Sequence, residues 1–220
     1  FKMKKYALIL LLFYGIMSFS QEKTQTDRMI EEIQQIKQNQ TEMKLVWWIP
    51  TEYWEVALQE DGSVTTEQLN YVKELLNDYT IIAAGDYKLD SDSGGLNFTV
   101  IDSSKKVVFY GLQGQKVTPL KESEIDNKVL IIVNQTLKPL FAQMLGKMGS
   151  GVNFFIYNNV EHGKRIIDPN QTGNFKVDLN GEIFKWKLPL VSLMDEKTCP
   201  VDQQKMSGNW NFCPFHGNKL

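Results

Sequence analysis

Cysteine and histidine are nearly absent: two of each occur among the 220 residues. So few cysteines exclude a multi-disulfide scaffold. There is no Gly-x-Ser-x-Gly elbow, His-Glu-x-x-His pair, P-loop or dinucleotide fingerprint, so the catalytic classes those motifs announce have no sequence support. Proline is sparse at 7 residues and glycine ordinary at 15, which excludes collagen-like and low-complexity chains. An excess of basic charge is also missing, with 24 Lys and Arg against 26 Asp and Glu. Beyond residue 20, no segment reads as long and apolar enough to cross a bilayer.

The first twenty residues carry the one long apolar run. Taking Met3 as the start, Lys4 and Lys5 form a positive n-region and Tyr6 to Phe19 an apolar stretch. Ser18 and Ser20 put small residues before a cut at Gln21. This is the pattern of a cleavable secretory signal peptide over residues 1–20, so the chain is expected to be exported, periplasmic or extracellular. Removing Lys2, Lys4 and Lys5 leaves 21 basic against 26 acidic residues, about −5. That balance argues against a nucleic-acid partner, and it confines membrane contact to the leader.

Residues 21–42 read as a polar N-terminal helix and linker, with Met29, Ile30, Ile33 and Ile36 in a narrow stripe from about Thr26 to Gln38. Residues 43–190 read as one α+β domain. Met43 to Ile49 is an apolar strand stopped by Pro50, and Thr51 to Gln59 fits either helix or strand. Thr65 to Tyr79 is a helix with Gln68 placed for a capping box. Thr80–Leu89, Leu96–Asp102 and Lys106–Leu112 form a meander. Ser123–Met148 is a long helix, capped at Ser123 and kinked at Pro139. A strand follows over Val152–Asn159. The runs Phe175–Leu179 and Glu182–Leu188 flank Asn180-Gly181, the strongest short hairpin signal. The expected architecture is an antiparallel sheet of about six or seven strands covered by two main helices.

Residues 191–220 form a separate C-terminal cap. Cys199-Pro-Val-Asp-Gln-Gln-Lys-Met206 and Cys213-Pro-Phe-His-Gly-Asn-Lys-Leu220 repeat at a 14-residue offset. Two cysteine-bearing turns can aim their ligands at one ion. The tail resembles a degenerate zinc ribbon of the C-P-x-C-G type, over about its last 22 residues. Asp202 and His216 stand where the family has its second cysteines. The resemblance implies a structural zinc on Cys199, Asp202, Cys213 and His216. Export favours instead a Cys199–Cys213 disulfide, closing a loop of about 15 residues worth roughly 3 kcal/mol. Trp210 and Phe212 are expected to form the apolar heart of the cap under either closure.

Other chemistry is thin. His162 sits in a polar loop beside Glu161. Asp86, Asp90, Asp92 and Asp102 surround a turn that only partly follows a calcium loop, which lacks its twelfth-position Glu. The aromatic cluster Trp47, Trp48, Tyr53 and Trp54 suits either core packing or a ligand-binding surface. The expected function is a noncatalytic envelope module that binds a protein or small molecule. The alternative is a small extracytoplasmic hydrolase using acids such as Asp86 or Glu161.

Overall fold

The computed structural model describes residues 23–62, 64–92, 95–101 and 107–220. The expected leader lies outside them, as do Ser93, Gly94 and Asp102. The fold is mixed α and β, with four helices and antiparallel sheets. A helix α1 (Gln25–Ile33) leads into β1 (Gln34–Gln38) and β2 (Glu42–Ile49). Helices α2 (Thr51–Asp61) and α3 (Thr66–Leu76) precede the long β3 (Tyr79–Asp92) and β4 (Gly95–Val100). Then come β5 (Val107–Tyr110) and β6 (Lys116–Val117). The long helix α4 (Asn127–Gly151) follows. The chain continues through β7 (Asn153–Asn158), β8 (Val160–Glu161), β9 (Lys164–Arg165), β10 (Gly173–Leu179) and β11 (Glu182–Leu188), and ends with β12 (Lys197–Thr198) and β13 (Lys205–Met206).

The strands do not form the single sheet expected. One sheet has five strands, β1-β2-β3-β4 with β7 also on β3; a second has four, in the order β11-β10-β5-β6. The expected meander breaks at β5, which pairs with β10 rather than with β4. Alternation explains the switch. Val107 and Phe109 are buried while Val108 and Tyr110 are half-exposed, so β5 offers one apolar face, as does β11 with Phe184, Trp186 and Leu188 inward. Such one-faced strands cover a neighbouring layer.

That layer is the five-stranded sheet. Leu45 to Ile49 are buried without alternation, because β2 is covered on both faces. Trp48 meets Phe175 of the second sheet edge-on, with ring centres 4.7 Å apart. Trp47 points the other way and meets Phe141 of α4 at 4.5 Å. The order is therefore helix, sheet, sheet. Gly85 is needed here: the Tyr87 ring lies over it, and a Cβ would fall 2.3 Å from the Tyr87 hydroxyl, which donates to the Met148 carbonyl at 2.7 Å.

The long helix starts later than expected. Asp126, not Ser123, caps it by accepting from the Lys128 N–H. Pro139 is absorbed by a π-helical turn over Ile132–Leu137, which widens the backbone before a residue that has no N–H to give. By length and composition alone this helix would qualify to cross a membrane, contrary to the sequence reading. Its buried stripe, Val129, Val133, Leu137 and Phe141, belongs to the body's core.

The N-terminal segment is not a linker. The helix ends at Ile33, and Gln34–Gln38 pairs with β2 as an edge strand. Met29 and Ile33 enter the core. The amino end of α1 is closed by a capping box between Thr24 and Asp27 and by Glu60, which accepts from the Gln25 N–H at 2.7 Å. Its far side grips residues 191–196. Glu32 accepts from the N–H groups of Val191 and Ser192, each at 2.7 Å, and Arg28 pairs with Glu196 at 3.3 Å. Trp186 donates its indole N–H to the Ile33 carbonyl.

Glu32→Ala should lower stability by about 1.5–3 kcal/mol, the scale of hydrogen bonds to a charged group, read as a fall in the urea midpoint with an unchanged slope. A second outcome concerns pH. Burial alone would raise the Glu60 carboxyl, but hydrogen bonds from Thr26 and Gln25 outweigh it and hold the group below the usual carboxylate range. Its contribution is therefore complete above the unfolded carboxylate value and fades as pH falls through the lower folded one. Glu60→Gln should flatten that acid limb in urea titrations at stepped pH.

Candidate metal centre

The cap builds its site from two copies of one turn. The Cys199 N–H donates to the Gln204 carbonyl at 2.9 Å, and the Gln203 N–H returns to the Cys199 carbonyl at 3.0 Å. Fourteen residues on, the Cys213 N–H donates to Asn218 at 2.7 Å and the Gly217 N–H to Cys213 at 2.8 Å. Gln203 and Gly217, one per turn, both have positive φ, +62° and +70°. Pairing repeats as well: Thr198 faces Lys205 as Phe212 faces Lys219. The sequence repeat is thus a structural repeat.

The two turns bring three donors together. Cys199, Cys213 and His216 place one ligand atom each within 4.8 Å of the others. His216 Nδ1 lies 3.4 Å from Cys199 Sγ and 3.6 Å from Cys213 Sγ. In a tetrahedral centre with Zn–S about 2.3 Å and Zn–N about 2.0–2.1 Å, sulfur and nitrogen ligands stand roughly 3.5 Å apart. The spacing and the donor set therefore fit zinc. Asp202 is set at the edge of the group, its Oδ2 3.8 Å from His216 Nδ1 while its Oδ1 accepts from the Gln204 N–H. Both cysteines are free thiols and buried.

The surroundings set the two thiols apart. Burial pushes the Cys199 thiol up, aided by the Asp202 carboxylate and opposed by the N–H groups of Asp202 and Val201. Burial acts on Cys213 in the same sense, but the N–H groups of His216 and Phe215 and the His216 ring outweigh it and bring that thiol down. The Gln204 N–H holds Asp202 below the usual carboxylate range against burial. Each turn thus aims backbone donors at its own sulfur; at Cys213 they outweigh burial and favour thiolate, the form that binds metal, while at Cys199 burial wins.

The apolar heart of the cap is Cys199, Met206 and Cys213 with Leu220 against them, not Trp210 and Phe212, which are exposed. The repeat explains this: Met206 and Leu220 are its matching last positions, and both turn inward.

The aromatic cluster is divided. Trp47 and Trp48 are core on opposite faces of β2. Burial raises the Tyr53 hydroxyl, and Tyr53 lines with Trp47 a slot of only about 20 Å³. Trp54 alone borders a sizeable cleft, about 570 Å³ between α2, α3 and α4. The acids named for hydrolysis do not meet. Asp86 is buried and takes a short hydrogen bond from Asn180. Glu161 lies past Asn158, which pairs with Tyr79, seven residues along β3 from Asp86, or roughly 23 Å. His162 occupies an exposed turn with φ +51°. Among the calcium-like acids, the described Asp90 is exposed in the β3–β4 hairpin. No sequence pattern marked the bidentate Arg165–Glu52 pair, at 2.5 and 3.2 Å, because its partners are 113 residues apart.

The chain matches no family model, no curated protein and no solved structure. The ribbon resemblance therefore stands on the two turns alone.

Gln203 spends energy where Gly217 does not, since a side chain in the left-handed region costs about 1 kcal/mol. Gln203→Gly should stabilise the cap by about that amount, and Gly217→Ala should destabilise it similarly, both read in thermal melts followed by Trp210 fluorescence.

Proposed function

We propose that the protein is a noncatalytic, extracytoplasmic binding or assembly module whose C-terminal cap is closed by a structural zinc. The observation that carries this reading is His216 Nδ1 standing 3.4 and 3.6 Å from the two thiols. Cys199, Cys213 and His216 would hold the ion, with Asp202 completing the set. When bound, zinc supplies a cross-link and neutralises two thiolates; with four protein ligands it leaves no open position for chemistry. The rest of the chain acts as scaffold, and no pair of the acids named for catalysis converges on a cleft. Export rests on the leader pattern alone, and the partner is expected to be a protein or small molecule of the envelope.

Protein purified without chelator should carry one zinc per chain by elemental analysis and show two titratable thiols after denaturation. No zinc and no free thiols would replace the metal with a Cys199–Cys213 disulfide. His216→Ala should drop zinc content well below one per chain while leaving the far-UV circular dichroism of the body intact.

A further inference from the structure

The ribbon pattern supplies four cysteines, but this chain has two, Cys199 and Cys213, with Asp202 and His216 in the other two places. That difference changes what oxidation does to the centre. In a four-cysteine site the loss of one sulfur pair leaves a second pair on the ion. Here it leaves an imidazole and a carboxylate. Asp202 is already set back, its Oδ1 held by the Gln204 N–H at 3.1 Å. Two such donors fall short of the closed tetrahedral set that retains zinc. One two-electron step therefore empties the centre.

The geometry lets the two sulfurs meet. Their Sγ atoms lie within 4.8 Å of each other, and two sulfurs sharing a tetrahedral zinc stand roughly 3.8 Å apart. A disulfide needs about 2.0 Å. The backbone bonds at Cys199 and Cys213 close each turn on itself, so a turn can shift as a unit without opening. Around the sulfurs pack Met206 and Leu220, an apolar contact with no fixed direction, which tolerates a small slide. The side chains of His216 and Asp202 are 34% and 29% exposed, so the rim of the cluster is open to a small oxidant. In the oxidising compartments that exported proteins reach, two neighbouring thiols are under standing pressure to pair.

We infer that the cap is a redox switch, in which a two-electron oxidant such as hydrogen peroxide joins Cys199 to Cys213 and so expels the zinc. The inference rests on the zinc closure proposed above and adds its regulation. One thiolate attacks the peroxide: an S–O bond forms, the O–O bond breaks, and hydroxide leaves to take a proton from solvent. The second thiolate attacks the resulting sulfenic acid: the S–S bond forms, the S–O bond breaks, and a second hydroxide leaves to become water. Two electrons pass from the sulfurs to the peroxide, and the joined sulfurs, no longer anionic, release the dication. Two molecules of a thiol such as glutathione reverse the step by exchange, becoming a disulfide themselves and returning both thiols.

The full chain is reduced, loaded with zinc, freed of excess metal and titrated with hydrogen peroxide. Released zinc is read with a chromophoric chelator, and thiols are counted in denaturant on the same samples. Zinc release should track thiol loss at one ion per two thiols. Trypsin should then yield Thr198–Lys205 joined to Met206–Lys219, lighter than the two peptides by two hydrogens, from a chain that stays monomeric. Glutathione should restore both thiols and zinc uptake. Zinc that stays bound under excess peroxide would overturn the switch and leave the zinc closure standing. So would zinc that leaves while the two peptides stay unlinked, or link only between chains. A reduced chain that takes up no zinc would overturn both.

Discussion

Burial of β2 from both sides is the constraint on which the body depends. A strand covered on one face can slip only by exchanging its apolar face for its polar one. A strand covered on both must also match two different neighbours. Here Trp47 fits beside Ala83 of β3 and under Phe141, while Trp48 fits beside Ile82 and under Phe175. Moving the register by one residue would send each indole into the other layer. Small residues opposite the large one on the helix side, and Gly85 beneath Tyr87, show the same fitting of volume. β2 and β3 carry most of the load between the helix layer and the second sheet, which also meet where Trp186 of β11 reaches the Ile33 carbonyl of α1.

The cap obeys a different rule. Its buried cluster of Cys199, Met206 and Cys213 is far too small to hold a fold by apolar burial. In the function proposed above, a cross-link between the two turns supplies the rest. Both turns spend their backbone donors on sulfur, and one of them accepts a side chain in the left-handed region. The two thiols converge on one imidazole nitrogen, at 3.4 and 3.6 Å, where such a cross-link would lie.

Local signals were legible in the sequence and long-range ones were not. The capping box of Thr65 and Gln68, the Asn180-Gly181 hairpin with both residues at positive φ, and the 14-residue repeat each reside within a short stretch. Periodicity also found the strands, but it could not say which sheet they joined. The sequence Val107–Tyr110 reads the same whether it pairs with β4 or with β10. Ile36 draws Gln34–Gln38 into the pattern of the preceding helix, yet the structure leaves that side chain on the surface of an edge strand. Hydrophobicity places Trp210 and Phe212 inward, whereas the structure turns in Met206 and Leu220, the last positions of the repeat. The ribbon resemblance implies donors at Cys199, Asp202, Cys213 and His216; the structure brings Cys199, Cys213 and His216 together, with Asp202 near them but set apart.

The grip of α1 on residues 191–196 has a consequence for how the chain is made. Glu32 finds its donors 159 and 160 residues later, and Ile33 offers its carbonyl to a tryptophan 153 residues away. A chain emerging from its amino end therefore produces this helix long before Val191, Ser192 and Trp186 exist to meet it. Contacts of such separation raise the contact order of the fold, which goes with slower folding. The seam between the two ends also fixes the segment from which the two cysteine turns of the cap depart.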